Sequence, residues 1–125
     1  MDVATDTDTR YTIFVHLSTT RDWLELPRHD RAAVLAEHVA PLLGRYASTT
    51  SLGWYDAEAF SANPTDVAVV TTTALQDWYD LYEALRDSPL WTVPYFKTEQ
   101  IVVALEQGFK GYEERRATPG APASH

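Results

Sequence analysis

The clearest candidate for chemistry in this chain is a histidine within an apolar stretch. His16 lies in RYTIFVHLS, where strand alternation puts Phe14 and Ser18 on the same side as the imidazole. An imidazole titrates near neutral pH, so it can serve as a general base, a general acid or a ligand of haem iron. The competing interpretation is a hydrogen-bonded histidine in a subunit interface. The residues around His16 are compatible with both.

A second group of reactive side chains lies in GWYDAEAF, residues 53–60. If this segment is a strand, one face carries Trp54, Asp56, Glu58 and Phe60. Asp56 and Glu58 are then candidates for orienting a substrate or accepting a proton, and Trp54 is a candidate for contacting it. Tyr55 lies on the other face and is a candidate for polarising a substrate oxygen. That second face could equally be the one that points outward.

His38 is a weaker candidate, because its surroundings are those of a packing residue. His38, Leu35 and Leu42 share one stripe of a predicted helix. A lone histidine in such a stripe is usually partly buried, with one ring nitrogen hydrogen-bonded. The helices and the uncovered face of the predicted sheet lie on opposite sides, so His38 and His16 are not expected to meet.

Length and composition bound what the protein can be. The chain has 125 residues, enough for one domain, and no cysteine, which excludes disulfide, thiolate and iron–sulfur chemistry. Its net charge of −8 argues against a nucleic-acid partner, since phosphate binding needs clustered lysine and arginine. No ligand spacing typical of a metal site occurs. MDVATDTDTR predicts no secretory signal and no apolar run predicts a membrane span, so a cytoplasmic protein is expected.

The order of predicted elements indicates a ferredoxin-like fold. The elements are a strand over 10–18, a helix from 28 that breaks near Pro41 and Gly44, strands over 49–59 and 66–73, a helix over 74–87 begun by a Thr73–Gln76 capping box, a strand over 97–105 and a short helix over 106–116. The β-α-β-β-α-β order predicts one α+β domain over 10–116, with an antiparallel sheet and both helices on one face. A disordered leader is predicted over 1–9 and a disordered tail over 117–125.

One face of such a sheet has no helix over it. Strand alternation assigns the apolar rows of the first and last strands to the helix side. It leaves on the uncovered face Phe14, His16, Thr98, Gln100 and Val102, with Trp54, Asp56 and Glu58 assigned there by analogy. This surface is too apolar for water and too polar for a dry core. We expect two subunits to pack sheet against sheet, either around a cavity that orients a ligand or as a plain dimer interface.

Three further aromatic residues are candidates for contacting a substrate. Trp78 lies on the broad apolar face of the second long helix, and Trp91 and Tyr95 lie in the stiff loop SPLWTVPYF. Aromatic loops of this kind often close the mouth of a pocket or pack across a dimer. Without accompanying positive charge, a platform that stacks nucleic-acid bases is not expected.

Several segments resemble the darcynin family. They are YTIFVHLSTTRDWLELPRHDR, then WYDAEAFSA and DVAV, then YEALRDSPL, PYF and LEQGF, and they cover nearly the whole chain between its ends. YDAEAFSA and EALRDSP are the most specific. Darcynin-like sequences in turn resemble the dimeric α/β-barrel superfamily, and the resemblance implies that fold and a homodimer. The superfamily includes cofactor-free monooxygenases, polyketide cyclases, lactone isomerases and haem enzymes, and fold alone does not choose among them.

These features favour a cofactor-independent enzyme acting on a hydrophobic, aromatic or polyketide-like small molecule by cyclisation or isomerisation. His16 is the expected base, Asp56 or Tyr55 the group that polarises an oxygen, and His38 a further catalytic candidate. The residues expected to contact substrate are Phe14, Trp54, Glu58, Gln100, Trp78, Trp91 and Tyr95. No cofactor or metal is expected, and no nucleic-acid or membrane partner. The alternatives are cofactor-independent oxygenation of similar substrates, and a dimer that binds a ligand or haem without turnover.

Overall fold

Four strands and six helices make up residues 9–117, the part of the chain that the computed structural model describes. The strands are β1 (Tyr11–Thr19), β2 (Thr50–Asp56), β3 (Asp66–Thr72) and β4 (Phe96–Leu105). The helices are α1 (Arg21–Glu25), α2 (Arg28–His38), α3 (Ala40–Arg45), α4 (Leu75–Arg86), α5 (Pro89–Thr92) and α6 (Gly108–Ala117). The predicted α+β class is confirmed. The predicted leader and tail fall almost wholly on residues 1–8 and 118–125, outside the described part.

The sheet has the strand order β2-β3-β1-β4, with every neighbouring pair antiparallel, as a ferredoxin-like fold requires. β1 is an interior strand, and its Ile13, Val15 and Leu17 side chains are at most 3% exposed. They form one core with Leu81 of α4 and Leu90 of α5. One face of the sheet therefore packs on the helices, and the other is left largely uncovered within residues 9–117.

The first connection, between β1 and β2, contains three helices where the sequence pattern predicts one. Thr20 begins α1, because its Oγ1 accepts a hydrogen bond from the Trp23 N–H at 3.3 Å. The predicted break near Pro41 is confirmed: α2 ends at His38, and the proline lies in the first turn of α3, where its missing N–H costs no hydrogen bond. Within the described residues no helix is long and apolar enough to cross a membrane.

The capping box predicted from Thr73 and Gln76 is wrong. The N-cap residue of α4 is Ala74, whose own N–H donates to Thr72 Oγ1 at 3.0 Å. Thr72 is 1% exposed, and its hydroxyl also lies 2.9 Å from that of Thr50 on the neighbouring strand. A buried threonine pair at the end of β3 thus directs the chain into α4, a role that local sequence pattern does not reveal.

A β-bulge in β4 changes the face on which part of that strand lies. His16 is opposite Gln100 on one side of the irregularity, and Leu17 is opposite Thr98 on the other, so Glu99 is the extra residue. Opposite residues of an antiparallel pair share a face. Thr98 therefore faces the helices with Leu17, while Gln100 faces away from them with His16. The assignment of Thr98 to the uncovered face is wrong for this reason.

Candidate functional site

The uncovered side of the sheet, called the open face, is defined by the strand register. It consists of the β1 residues that alternate with the core row, together with their partners on the other strands. Its members are Thr12, Phe14, His16 and Ser18 of β1, Val67, Val69 and Thr71 of β3, Ser51, Gly53 and Tyr55 of β2, and Lys97, Gln100, Val102 and Ala104 of β4.

His16 belongs to a row of the open face that crosses all four strands. From β4 to β2, the successive partners are Gln100, His16, Val67 and Tyr55. His16 is half-buried and lies directly beside Gln100. Tyr55 is two strands away, about 10 Å at the usual strand spacing. An amide, an imidazole and a phenol thus face the same side of the sheet in one line.

The adjacent row of the open face is apolar. Val102, Phe14 and Val69 are its members on β4, β1 and β3, and Phe14 and Val102 are 36% and 40% exposed. On β2 this row has Gly53, over which the Tyr55 ring leans. A Cβ at Gly53 would lie 3.3 Å from Tyr55 Cε2, so the missing side chain gives the ring its room. A polar row and an apolar row therefore run side by side.

Next to the polar row, at the end of β1, lies a hydrogen-bonded group of Ser18, Asn63 and Glu99, called the carboxylate cluster. Ser18 Oγ is 3.2 Å from Oδ1 of Asn63, which comes from the loop between β2 and β3. Hydrogen bonds from Ser18 and then Asn63, followed by the charge of Lys97, lower the pKa of Glu99, whereas partial desolvation opposes them. Glu99 is therefore held as a carboxylate on the same side of the sheet as His16.

Sequence reasoning missed this cluster, although β4 carries a signal for it. Strict alternation places Glu99 in the same helix-facing row as Ile101, where an unpaired charge is costly. A charged residue in a predicted core row indicates either a partner or a bulge. The bulge is what the structure contains. For Asn63, by contrast, no sequence pattern places the loop against β1.

Trp54 and Asp56 face the helix side, so their assignment to the uncovered face is wrong. Trp54 is opposite a core alanine of β3, and Asp56 is opposite Asp66. The indole Nε1 of Trp54 donates to Asp66 Oδ2 at 2.8 Å. β2 ends at Asp56, and Glu58 lies in the turn that follows, its N–H donating to Asp56 Oδ1 at 3.3 Å. The two faces of β2 are interchanged relative to the prediction, which leaves Tyr55 on the open face.

Trp78, Trp91 and Tyr95 also lie on the helix side, within a group of packed rings. Trp78 stacks on Tyr82 with ring centroids 5.2 Å apart, and Tyr82 meets Trp91 edge-on at 5.9 Å. Tyr82 Oη and Trp91 Nε1 both hydrogen-bond Thr98 Oγ1, at 2.8 and 2.9 Å. Tyr95 packs 5.5 Å from the tryptophan of α1. The sheet separates these rings from His16.

His38 ends α2, with its side chain 27% exposed and Nε2 3.8 Å from Glu37 Oε2. It belongs to the helix layer, so the two histidines lie on opposite sides of the sheet, as predicted. Of the predicted site residues, the structure brings four together on the open face: Phe14, His16, Tyr55 and Gln100.

The open face is suited to binding an apolar molecule and exchanging a proton with it. Phe14 and the valines supply apolar contact area, and Gln100 and Tyr55 supply hydrogen bonds that fix an orientation. His16 supplies an imidazole, which can accept or donate a proton. Among residues 9–117 no group of three or more histidine, cysteine, aspartate or glutamate side chains is placed to hold a metal ion.

The sequence is similar to known darcynins. The sequence model of the darcynin family, described as a domain of unknown function, matches residues 3–120. Darcynin 1 of Acinetobacter baumannii is 43% identical over 90 residues, which cover 72% of this chain and 99% of that protein. The darcynin of Chromobacterium violaceum is 46% identical over 77 residues, which cover 62% of this chain and 96% of that protein.

The fold is similar to that of longer solved structures. A chlorite dismutase from Candidatus Nitrospira defluvii matches with a TM-score of 0.66 and 18% identity, covering 78% of this chain and 40% of that one. A haem-binding protein from Thermus thermophilus matches with a TM-score of 0.67 and 14% identity, covering 75% of this chain and 38% of that one. The chain thus spans about two fifths of these structures. At such identities the similarity shows the fold alone.

Proposed function

We propose that this chain, which belongs to the darcynin family, forms a homodimer that binds a hydrophobic small molecule at its open face and moves a proton on it with His16. The reaction class is cofactor-independent isomerisation or cyclisation of an aromatic or polyketide-like compound. One observation carries the proposal: His16 shares a row with Gln100 and Tyr55, next to an exposed apolar row.

A second copy of the chain is the cover that we propose for the open face. Phe14, Val102 and Tyr55 are 36%, 40% and 58% exposed in the single chain, which is costly for a contiguous surface in water. A two-fold axis would bring the same patch of both copies together, so that the ligand is enclosed between their apolar rows. Water would then be excluded from the space beside His16, and hydrogen bonds there would gain strength.

The proposed chemistry is proton transfer at a carbon acid. The neutral imidazole of His16 removes the proton, and the adjacent Gln100 amide donates a hydrogen bond to the oxygen on which negative charge develops. The Tyr55 hydroxyl, two strands from His16, binds a more distant oxygen of the ligand. A positioned general base of this kind contributes roughly 10²–10⁴-fold in rate. Of the two groups predicted to polarise the oxygen, Tyr55 shares a face with His16, whereas Asp56 does not.

The dimer is tested by charging the open face. Phe14→Glu is expected to convert a dimer into a monomer in sedimentation analysis, because it would bury an unpaired carboxylate in the proposed apolar interface. Tyr79→Glu is the matched control, since Tyr79 is 57% exposed on α4, away from the open face. A wild-type protein that sediments as a monomer, or a Phe14→Glu dimer as stable as the control, would refute face-to-face pairing.

Turnover is tested with small molecules captured from cell extract and analysed by mass spectrometry before and after incubation with protein. Wild type is expected to isomerise a captured compound or remove water from it, and His16→Ala to retain binding but lose the conversion. His38→Ala is the matched control, because His38 lies across the sheet, and it should convert at the wild-type rate. Gain of oxygen would establish oxygenation instead. If all three proteins capture a compound and none converts it, the enzymatic proposal is refuted and the protein is a binding protein.

A haem-binding dimer is the second candidate, favoured by the fold shared with the haem-binding protein of Thermus thermophilus. His16 would hold the iron, and Phe14 with the valines would contact the macrocycle. The fit is incomplete at the Ser18 end of the open face, because a porphyrin carries two anionic propionates. Lys97 could attract them there, but the Glu99 carboxylate beside it would repel them. Haemin titration decides between the candidates: a Soret shift in wild type that His16→Ala loses would favour haem.

A further inference from the structure

Three separate parts of the chain converge on the carboxylate of Glu99. Ser18 comes from the end of β1, Asn63 from the loop that joins β2 to β3, and Glu99 from the bulge of β4. Ser18 and Asn63 also contact each other at 3.2 Å. An exposed glutamate needs no such arrangement to stay charged, since water solvates it well. The convergence therefore calls for an explanation.

The loop that carries Asn63 is fixed to β1 by hydrogen bonds to its backbone. The Thr65 N–H donates to the Leu17 carbonyl at 2.9 Å, and the Thr19 N–H donates to Thr65 Oγ1 at 3.0 Å. These bonds hold the loop across the end of β1, so Asn63 reaches Ser18 and Glu99 from a defined position. The carboxylate is thereby oriented before any ligand arrives, which lowers the entropic cost of using it for binding.

Hydrogen-bonding capacity remains on the carboxylate. An ionised carboxylate has about four acceptor positions, whereas Asn63 has two amide protons and Ser18 has one hydroxyl proton, which it can also donate to Asn63 Oδ1. Glu99 precedes Gln100, the direct partner of His16, so Glu99 lies at the end of the polar row. A ligand lying along the open face can therefore contact Glu99 and His16 at the same time.

We propose that Glu99 is a specificity-determining residue that accepts a hydrogen bond from an enolic or phenolic hydroxyl of the ligand. The inference rests on the proposed ligand site of the open face and names the chemical class that this site selects. The apolar body of the ligand lies along Phe14 and Val102. A hydroxyl is favoured over an ammonium, because Lys97 lies near the carboxylate and repels a second cation. A hydroxyl bound to a carboxylate makes a short, charge-assisted hydrogen bond.

The test compares three probes of the same shape: naphthol, its methyl ether and naphthylmethylamine. Affinities are measured from NMR shifts of the Phe14 ring and the His16 imidazole in full-length protein. Wild type is expected to bind naphthol about tenfold more tightly than the ether, and Glu99→Ala to bind the two equally. Glu106→Gln is the matched control, because it removes one exposed negative charge just beyond β4, where Glu106 pairs with Arg10 at 3.7 Å. It should keep the wild-type preference.

The possible results separate this inference from the proposed function. Equal binding of naphthol and ether by wild type, with shifts at Phe14 and His16, would overturn the role of Glu99 and leave the ligand site standing. Tightest binding of the amine, lost in Glu99→Ala, would overturn the hydroxyl in favour of a cation. Absence of open-face shifts with all three probes would overturn both the ligand site and the inference built on it. If Glu99→Ala still binds naphthol more tightly than the ether, another group causes the preference and the role of Glu99 is overturned.

Discussion

Replacing Thr98 with valine tests the β4 bulge, on which the composition of both sheet faces depends. Thr98 Oγ1 is hydrogen-bonded to Tyr82 Oη at 2.8 Å and to Trp91 Nε1 at 2.9 Å beneath the helices. Valine has nearly the same shape as threonine but offers neither donor nor acceptor. Without the bulge, strand alternation would turn position 98 to the open face, where the same substitution would break neither bond.

The expected loss follows from the two bonds. Trp91 Nε1 can only donate, so removing its acceptor leaves a half-buried N–H without a partner, at a cost of about 1 kcal/mol or somewhat more. The Tyr82 hydroxyl can rotate, and its bond contributes on the order of 1 kcal/mol. Together the free energy of unfolding should fall by about 2 kcal/mol. For a domain of this size, that corresponds to a fall in Tm of roughly 10 °C.

The assay is urea denaturation followed by tryptophan fluorescence, at one protein concentration because dimerisation would otherwise change the apparent stability. Thr12→Val is the matched control, since Thr12 lies on the open face of the same sheet. It should change the free energy of unfolding by less than about 0.5 kcal/mol. If Thr98→Val is as stable as Thr12→Val, Thr98 does not face the helices and the register described for β4 is wrong.

Three further substitutions probe the core, the carboxylate cluster and the edge strand. Leu81→Ala should lower the free energy of unfolding by about 3 kcal/mol in the same urea assay, because Leu81 is 0% exposed and its loss leaves a cavity. Ser18→Ala should raise the pKa of Glu99 toward its ordinary value, as read from its side-chain carboxyl NMR signal. A carboxyl group whose pKa is lower in the folded than in the unfolded state stabilises the fold at pH values above its unfolded-state pKa, and this contribution is lost as the pH falls through its folded-state pKa. The free energy of unfolding of Ser18→Ala should therefore depend less on pH in the acid range than that of wild type. Trp54→Phe removes the indole donor to Asp66 and should cost less than about 1 kcal/mol, since Trp54 is 43% exposed.

The order of elements was predictable because each carries a local signal. β-branched runs mark β1 and β3, and helical spacing marks α2 and α4. The first connection was less predictable, because α1 depends on a single capping threonine, Thr20. The fold class follows from order alone, since few architectures accommodate β-α-β-β-α-β.

The faces of β2 were not predictable, for a reason that lies in β3. Trp54 and Tyr55 are adjacent aromatic residues, so either can be the inward one. Only pairing with β3 decides between them, and β3 has apolar residues on both faces, among them Val69 and Val70. A strand without alternation gives its neighbour no information about which face is buried. The sequence pattern therefore placed Asp56 on the same face as His16, whereas the structure places Tyr55 there.

The bulge in β4, by contrast, follows from what the core requires. Phe96 is 2% exposed and Ile101 packs against the same core, yet their positions differ by an odd number. A strict two-residue period cannot bring both to one face, so the strand must contain one extra residue between them. Placing that residue at Glu99 turns its carboxylate out of the core and beside Ser18. Burial of both Phe96 and Ile101 thus places Glu99 next to the row of His16. A change in the core positions of β4 would therefore also change the candidate site.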